Sequence, residues 1–184
     1  MRTFVAIEMP QQVLDALRGL SDRLRASGSR VSWVKPENMH LTLRFLGDVD
    51  EEHIDRLAAI LWEAYKGMIP FAASVRGTGA FPNMRRPSVI WVGVEPFEGG
   101  LATVQTAAES AARAIGLPPE DKTFHPHLTL ARIKDAREAR PLMDLFAYER
   151  DFHAGDFTVS GVSLFWSQLT PHGPIYRRLR EFDF

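Results

Sequence analysis

No cysteine occurs among the 184 residues. Disulfides, thiolate nucleophiles and cysteine-based zinc sites are therefore excluded, and the composition accords with a reducing compartment. Long apolar runs are missing too: none approaches the ~18 residues that cross a bilayer. The stretch Thr3-Phe4-Val5-Ala6-Ile7 is far too short for a signal peptide. The expected location is cytoplasmic, with no membrane partner. Net charge is almost absent, with 22 Lys and Arg against 23 Asp and Glu. No global positive field holds an extended polyanion, so contact with a nucleic acid would be local, at an end or a single nucleotide. There is no low-complexity tract, long linker or charge block to divide the chain. A single domain over 1–184, built of two lobes and monomeric, is expected.

What is present suits an ordinary globular chain: 45% hydrophobic and 24% charged residues. A chain of this length buries roughly 70% of its unfolded surface and needs no metal to fold. The pattern alternates strand and helix in two rounds. Thr3 to Met9 reads as a strand. After Pro10 a helix carries Val13, Leu14, Leu17, Leu20 and Leu24 at three- and four-residue spacing. Ser27-Gly28-Ser29 breaks it, Val31 to Val34 is extended, and Lys35 to Asn38 is a loop. Asp50 caps a second helix whose stripe is Ile54, Leu57, Ala58, Leu61 and Trp62. Phe71 to Gly77 and Ser88 to Val94 read as strands around a loop holding Phe81-Pro82-Asn83 and the basic pair Arg85-Arg86. An alanine-rich helix runs from Leu101 to Ile115, stopped by Gly116-Leu117-Pro118-Pro119. A short helix is expected between Arg137 and Tyr148. A terminal hairpin pairs Phe157 to Trp166 with Ile175 to Phe184.

Within this pattern one tetrad is written twice: His40-Leu41-Thr42-Leu43 and His127-Leu128-Thr129-Leu130. The chain holds only six histidines, and chance duplication of the whole tetrad is about a one-in-10⁵ event, so the leucines carry most of the specificity. On a strand, His and Thr share one face and the two leucines the other. An unperturbed imidazole titrates near pH ~6.5, so one can accept a proton while its partner donates one. In-line displacement at phosphorus puts attacking and leaving groups on opposite sides, which calls for two histidines on opposite walls of a cleft. Each Thr hydroxyl, two residues on, can donate to a non-bridging phosphate oxygen.

This chemistry needs neither metal nor cofactor, and none is expected. The competing metal reading takes His125 and His127 as a His-x-His pair, joined by His40. Against it, Pro126 sits between the pair, and no Asp or Glu directly adjoins either tetrad to support a ligand. His53, His153 and His172 read as structural or solvated.

The paired tetrads and their flanks resemble the 2H phosphoesterase superfamily, and within it the bacterial and archaeal RNA 2′,3′-cyclic phosphodiesterase branch, long called 2′-5′ RNA ligase. The likeness runs through Arg2 to Pro10, Trp33 to Gly47, Gly79 to Pro82, Val89 to Gly93, Phe124 to Arg132 and Gly173 to Tyr176. It implies an α+β fold of two pseudo-symmetric lobes, each an antiparallel sheet with helices on its outer face, around a central groove. It also implies metal-independent hydrolysis of RNA 2′,3′-cyclic phosphate ends to 2′-phosphates, with reverse 2′-5′ ligation as a further capacity. By the same resemblance His40 and His127 are the catalytic pair and Thr42 and Thr129 hold the phosphate. A 2′-phosphate product makes O3′ the leaving atom, and His40 is taken as the acid facing it, His127 as the base for water.

Arg132 also matches the family pattern, yet strict alternation points it away from His127 unless the strand ends or bulges. Arg44 shares the His40 face by the same parity. Phe45 falls on the leucine face and reads as core, and His125 as a neighbour only. Two other functions remain open. One is turnover of a small cyclic nucleotide such as ADP-ribose cyclic phosphate; the other is a non-catalytic module that binds RNA ends.

Overall fold

A computed structural model describes residues 1–171 and 173–184. His172, expected in a turn, lies outside the described residues. Among the described residues nine strands and four α-helices follow one another as β1 (Arg2–Glu8), α1 (Gln11–Arg25), β2 (Ser32–Trp33), β3 (His40–Asp48), α2 (Glu51–Tyr65), β4 (Phe71–Phe81), β5 (Val89–Pro96), α3 (Leu101–Ala114), β6 (His127–Arg132), α4 (Arg140–Phe146), β7 (His153–Val159), β8 (Gly161–Thr170) and β9 (Gly173–Asp183). Two antiparallel sheets result, ordered β3-β1-β8-β9 and β2-β6-β5-β4-β7. The architecture is α+β, as expected.

The order of strands shows how the two rounds interlock. β1 and β3 pair with each other, as do β5 and β6, so each tetrad strand lies beside the strand that precedes its helix. The next long strands cross over: β4 pairs with β5, and β8 pairs with β1. The helices form the same cross-linked pattern, α1 packing on α4 and β7, α2 on α3 and β9. Val13, Leu17, Leu20 and Leu24 are buried on α1, and Ala108, Ala111 and Ala112 on α3. One continuous apolar core joins them to the inner faces of both sheets, and Tyr65 within it donates from its hydroxyl to the Val104 carbonyl at 2.9 Å.

Several expectations need correction. Trp62, placed on the buried stripe of α2, is 52% exposed. The stripe instead closes with the fully buried Tyr65, four residues after Leu61. Asp50 stands at the α2 N-cap but makes no side-chain cap bond. β4 does not stop at Gly77, which adopts a φ of +70° and forms a bulge between Arg76 and Thr78 that keeps the strand running. Phe157 to Trp166 is not one strand. It breaks at Ser160, where the chain leaves the β4 edge of one sheet and enters the other beside β1.

Candidate active site

Both tetrads lie on strands and show the same alternation: His40 and Thr42 half-buried, Leu41 and Leu43 buried, then His127 and Thr129 half-buried, Leu128 and Leu130 buried. β3 is the free edge of its sheet, and it packs against β6 of the other. The two His-Thr faces are thereby brought together from separate sheets.

At the end of each tetrad the register slips. Ala6 faces Thr42 and Val5 faces Arg44, leaving Leu43 unpaired; Trp91 faces Thr129 and Ile90 faces Ala131, leaving Leu130 unpaired. A bulge reverses the parity of everything after it. Arg132 therefore returns, exposed, to the side of His127 and Thr129. Arg44 and Phe45 exchange the places that alternation gave them. Arg44 turns inward to 8% exposure, where its guanidinium pairs with Glu109 and Glu120 and donates to the Pro118 carbonyl at 2.6 Å. Phe45 turns outward to 44% exposure and stacks on Phe4, its centroid 5.6 Å away. Arg44 thus belongs to the folding core, and Phe45 to the cleft.

Each imidazole is held in the same way. The carbonyl of His125 lies 2.6 Å from Nδ1 of His127, and a backbone hydrogen bond with Asn38 holds His40. Both partners stand two residues before their histidine. On His127 this fixes the Nδ1–H tautomer and turns Nε2 to the cleft. His40 lies flat on Phe4 at 4.6 Å, with the Tyr176 ring edge-on at 5.1 Å. His127 meets the edge of Phe81 at 4.9 Å, and His125 packs on Trp91 at 4.8 Å.

The charges around the two rings differ. Directly across from His40 stands Glu8; directly across from His127 stands Gly93. Glu8 accepts from Ser163 Oγ and from Arg178, both at 2.9 Å. Burial pushes His40 down to about 4, against the pull of the Asn38 bond and the Glu8 charge. Burial also lowers His127, where the His125 bond opposes and the charges of His125 and Arg132 reinforce the shift. Burial raises Tyr176, with Arg132 and Arg2 opposing. Arg132 acts on His127 of one sheet and on Tyr176, which touches His40, of the other. That ties the two walls to one site.

The Thr42 and Thr129 hydroxyls have no hydrogen-bond partner among the described residues, leaving both free for a ligand. Among the described residues the three imidazoles of the metal reading do not form a group whose ligating atoms are close enough to share one ion. Among the described residues the ligating groups close enough to share an ion are Asp50, Glu52 and His53 at the start of α2. Sequence reading missed Glu8, Tyr176 and Phe81 as site residues. Glu8 is signalled only by strand register, and Phe81 only by the pairing of β4 with β5.

Fold and paired tetrads together define a 2H phosphoesterase. The model of the LigT-like phosphoesterase family matches residues 7–91 and again 92–176, and the chain belongs to that family. The double match agrees with the two interlocked rounds of the fold. A curated relative from Methanothermobacter thermautotrophicus is 36% identical over 98% of this chain and 97% of its own. One from Aeropyrum pernix is 40% identical over 90% and 93%. Both are named RNA 2′,3′-cyclic phosphodiesterase. A solved structure from Thermus thermophilus superposes with a TM-score of 0.82 at 31% identity, covering 100% of this chain and 97% of that one. Escherichia coli LigT complexed with 3′-AMP superposes at 0.76 with 21% identity and the same coverage.

Proposed function

We propose that this chain is an RNA 2′,3′-cyclic phosphodiesterase that converts a 2′,3′-cyclic phosphate end to a 2′-phosphate, acting as a single 1–184 monomeric unit in the cytoplasm. The observation that carries the reading is the pair of His-x-Thr faces presented from two sheets, each histidine pinned through the backbone two residues upstream.

His127 Nε2 takes a proton from water as the water oxygen bonds to phosphorus. The P–O3′ bond breaks on the opposite side, and His40 gives its proton to O3′. The products are a 2′-phosphomonoester and a free 3′-hydroxyl; His127 then gives its proton to solvent and His40 takes one up from solvent, restoring the pair. Thr42, Thr129 and Arg132 hold the non-bridging oxygens as charge grows there. The acid role of His40 is supported by Glu8 across the strand pair, and the base role of His127 by the cationic Arg132 beside it. A 5′-hydroxyl in place of water yields a 2′-5′ linkage by the same path.

The test is incubation of the purified protein, with chelator present, with an RNA ending in a 2′,3′-cyclic phosphate. A 2′-phosphate end is expected. Dependence on added metal, or binding without turnover, overturns the mechanism. Turnover of small cyclic nucleotides with none of the RNA transfers the function to a small-molecule substrate.

A further inference from the structure

We propose that the loop from β4 to β5, through Arg85 and Arg86, binds the RNA phosphodiester backbone adjoining the reacting phosphate, and so favours a strand over a free cyclic nucleotide. The proposal rests on the function proposed above and adds a second contact to it.

The loop is built to present these two side chains. Its neck is closed by Ser88, whose backbone N–H and Oγ both donate to the Phe81 carbonyl, at 2.7 and 3.0 Å. Its turn is set by Asn83, whose Oδ1 accepts from the backbone N–H of Arg85 at 3.0 Å and of Arg86 at 3.1 Å. An Asn side chain that mimics a turn in this way orders the backbone before any ligand arrives. Less conformational entropy then remains to be lost on binding.

The loop also springs from the site itself. Phe81, its last strand residue, touches His127 with its ring edge. Phe81 pairs with Val89, and Val89 pairs on its other side with Arg132, so neck and Arg132 share one row across three strands. Arg85 and Arg86 are both exposed. Some arginines of this chain are paired with carboxylates, among them Arg44 with Glu109, Arg178 with Glu8 and Arg180 with Asp55. Among the described residues neither Arg85 nor Arg86 meets a carboxylate. Two adjacent unpaired guanidinium groups contribute nothing evident to folding.

They match phosphodiester oxygens, which guanidinium binds in forked geometry. On a chain of net charge −1, a local group of Arg85, Arg86 and Arg132 supplies what the whole molecule lacks. A cyclic mononucleotide has one phosphate, already held by the tetrads. Only a strand offers a neighbouring phosphate to the loop.

The test compares kcat/KM for a short RNA ending in a 2′,3′-cyclic phosphate with that for a nucleoside 2′,3′-cyclic monophosphate. Arg85→Ala with Arg86→Ala is expected to lower the RNA value by about 10- to 100-fold, mainly through KM, as loss of charge-assisted contacts does. Mononucleotide turnover should stay within about twofold of wild type, since its single phosphate is held elsewhere. The dependence of log KM on log salt for RNA should flatten by about 1.4, for two contacts to a single strand. Arg85→Lys with Arg86→Lys should recover the salt dependence but only part of the affinity, because a point charge still neutralises phosphate without the forked contact. Equal losses on both substrates, an unchanged RNA value, or a wild-type enzyme without preference for RNA would each overturn the role of the loop. Wild-type protein that turns over neither substrate overturns the proposed function instead, so the two failures are distinct.

Discussion

Glu8 and Gly93 occupy matching positions opposite the two histidines, and the difference between them separates two otherwise equivalent rings. Burial lowers both imidazoles, His40 to about 4 and His127 below its ordinary value. The proposed mechanism needs one ring protonated and the other neutral, so kcat/KM is expected to peak on the acid side of pH ~6.5 and fall through neutrality. A bound phosphate anion stabilises the His40 cation, so the alkaline limb of kcat should lie at higher pH than that of kcat/KM. Profiles from about pH 4 to 8 check this, and a kcat/KM optimum well above neutrality would refute it. Glu8→Gln removes a favourable charge, and should move the alkaline limb of kcat toward acid; a purely structural role for Glu8 would leave the profile in place. Two arginines make a second comparison at this scale. Arg132→Ala is expected to cut kcat/KM at least tenfold, as removal of one charge-assisted phosphate contact does, with little change in Tm. Arg44→Met should do the reverse, costing about 3 kcal/mol by leaving Glu109 without its partly buried partner. Thermal melts and kinetics on both variants separate the cases, and a kinetic defect without destabilisation in Arg44→Met contradicts the placement.

A strand that alternates strictly predicts its faces only up to the first bulge. The tetrads themselves were legible, because four residues of apolar and polar alternation fit a half-buried strand and nothing else. The places of Arg44 and Phe45 were not, and Arg132 was a candidate by resemblance alone, since an unpaired leucine leaves no mark in composition or periodicity. The same limit hid the break at Ser160: both sides of it read as strand, and only pairing partners tell them apart. β4 adds a constraint of closeness. A Cβ at Gly79 would collide with the ring of Trp91, which covers it and carries His125 on its other contacts. Gly79→Ala must therefore push the indole aside and disturb the ring cluster behind His127. We expect a loss of about 1–3 kcal/mol, the range for overpacking, with a fall in kcat and a shifted tryptophan emission. Wild-type kcat in a folded Gly79→Ala protein would show that Trp91 does not position the His127 wall.

At the scale of the molecule, the twofold match of one family model suggests two separable halves, and the topology denies it. β8, from the second half, fills the place between β1 and β9, while β4, from the first, fills the place between β5 and β7. Removing either half strips an interior strand from the other's sheet and leaves long unpaired edges. The helices repeat the exchange, α1 resting on β7 and α2 on β9. Neither half keeps a closed core, since the buried cluster runs through both. A chain divided in the β4–β5 loop, into 1–87 and 88–184, is therefore expected to give two fragments that are each unfolded alone by circular dichroism and amide spectra. Mixed or co-expressed, they should associate with a sigmoidal unfolding transition whose midpoint depends on concentration, because folding and association are then one event. Cyclic phosphodiesterase activity should appear only in the mixture, since His40 and His127 arrive on different fragments. A fragment that folds alone with a cooperative melt would mean that strand exchange decorates a self-sufficient lobe. Loss of both behaviours in the alanine-substituted Leu41 and Leu128 mixtures would then trace assembly to the anchoring faces of the tetrads, the same strands that carry the chemistry.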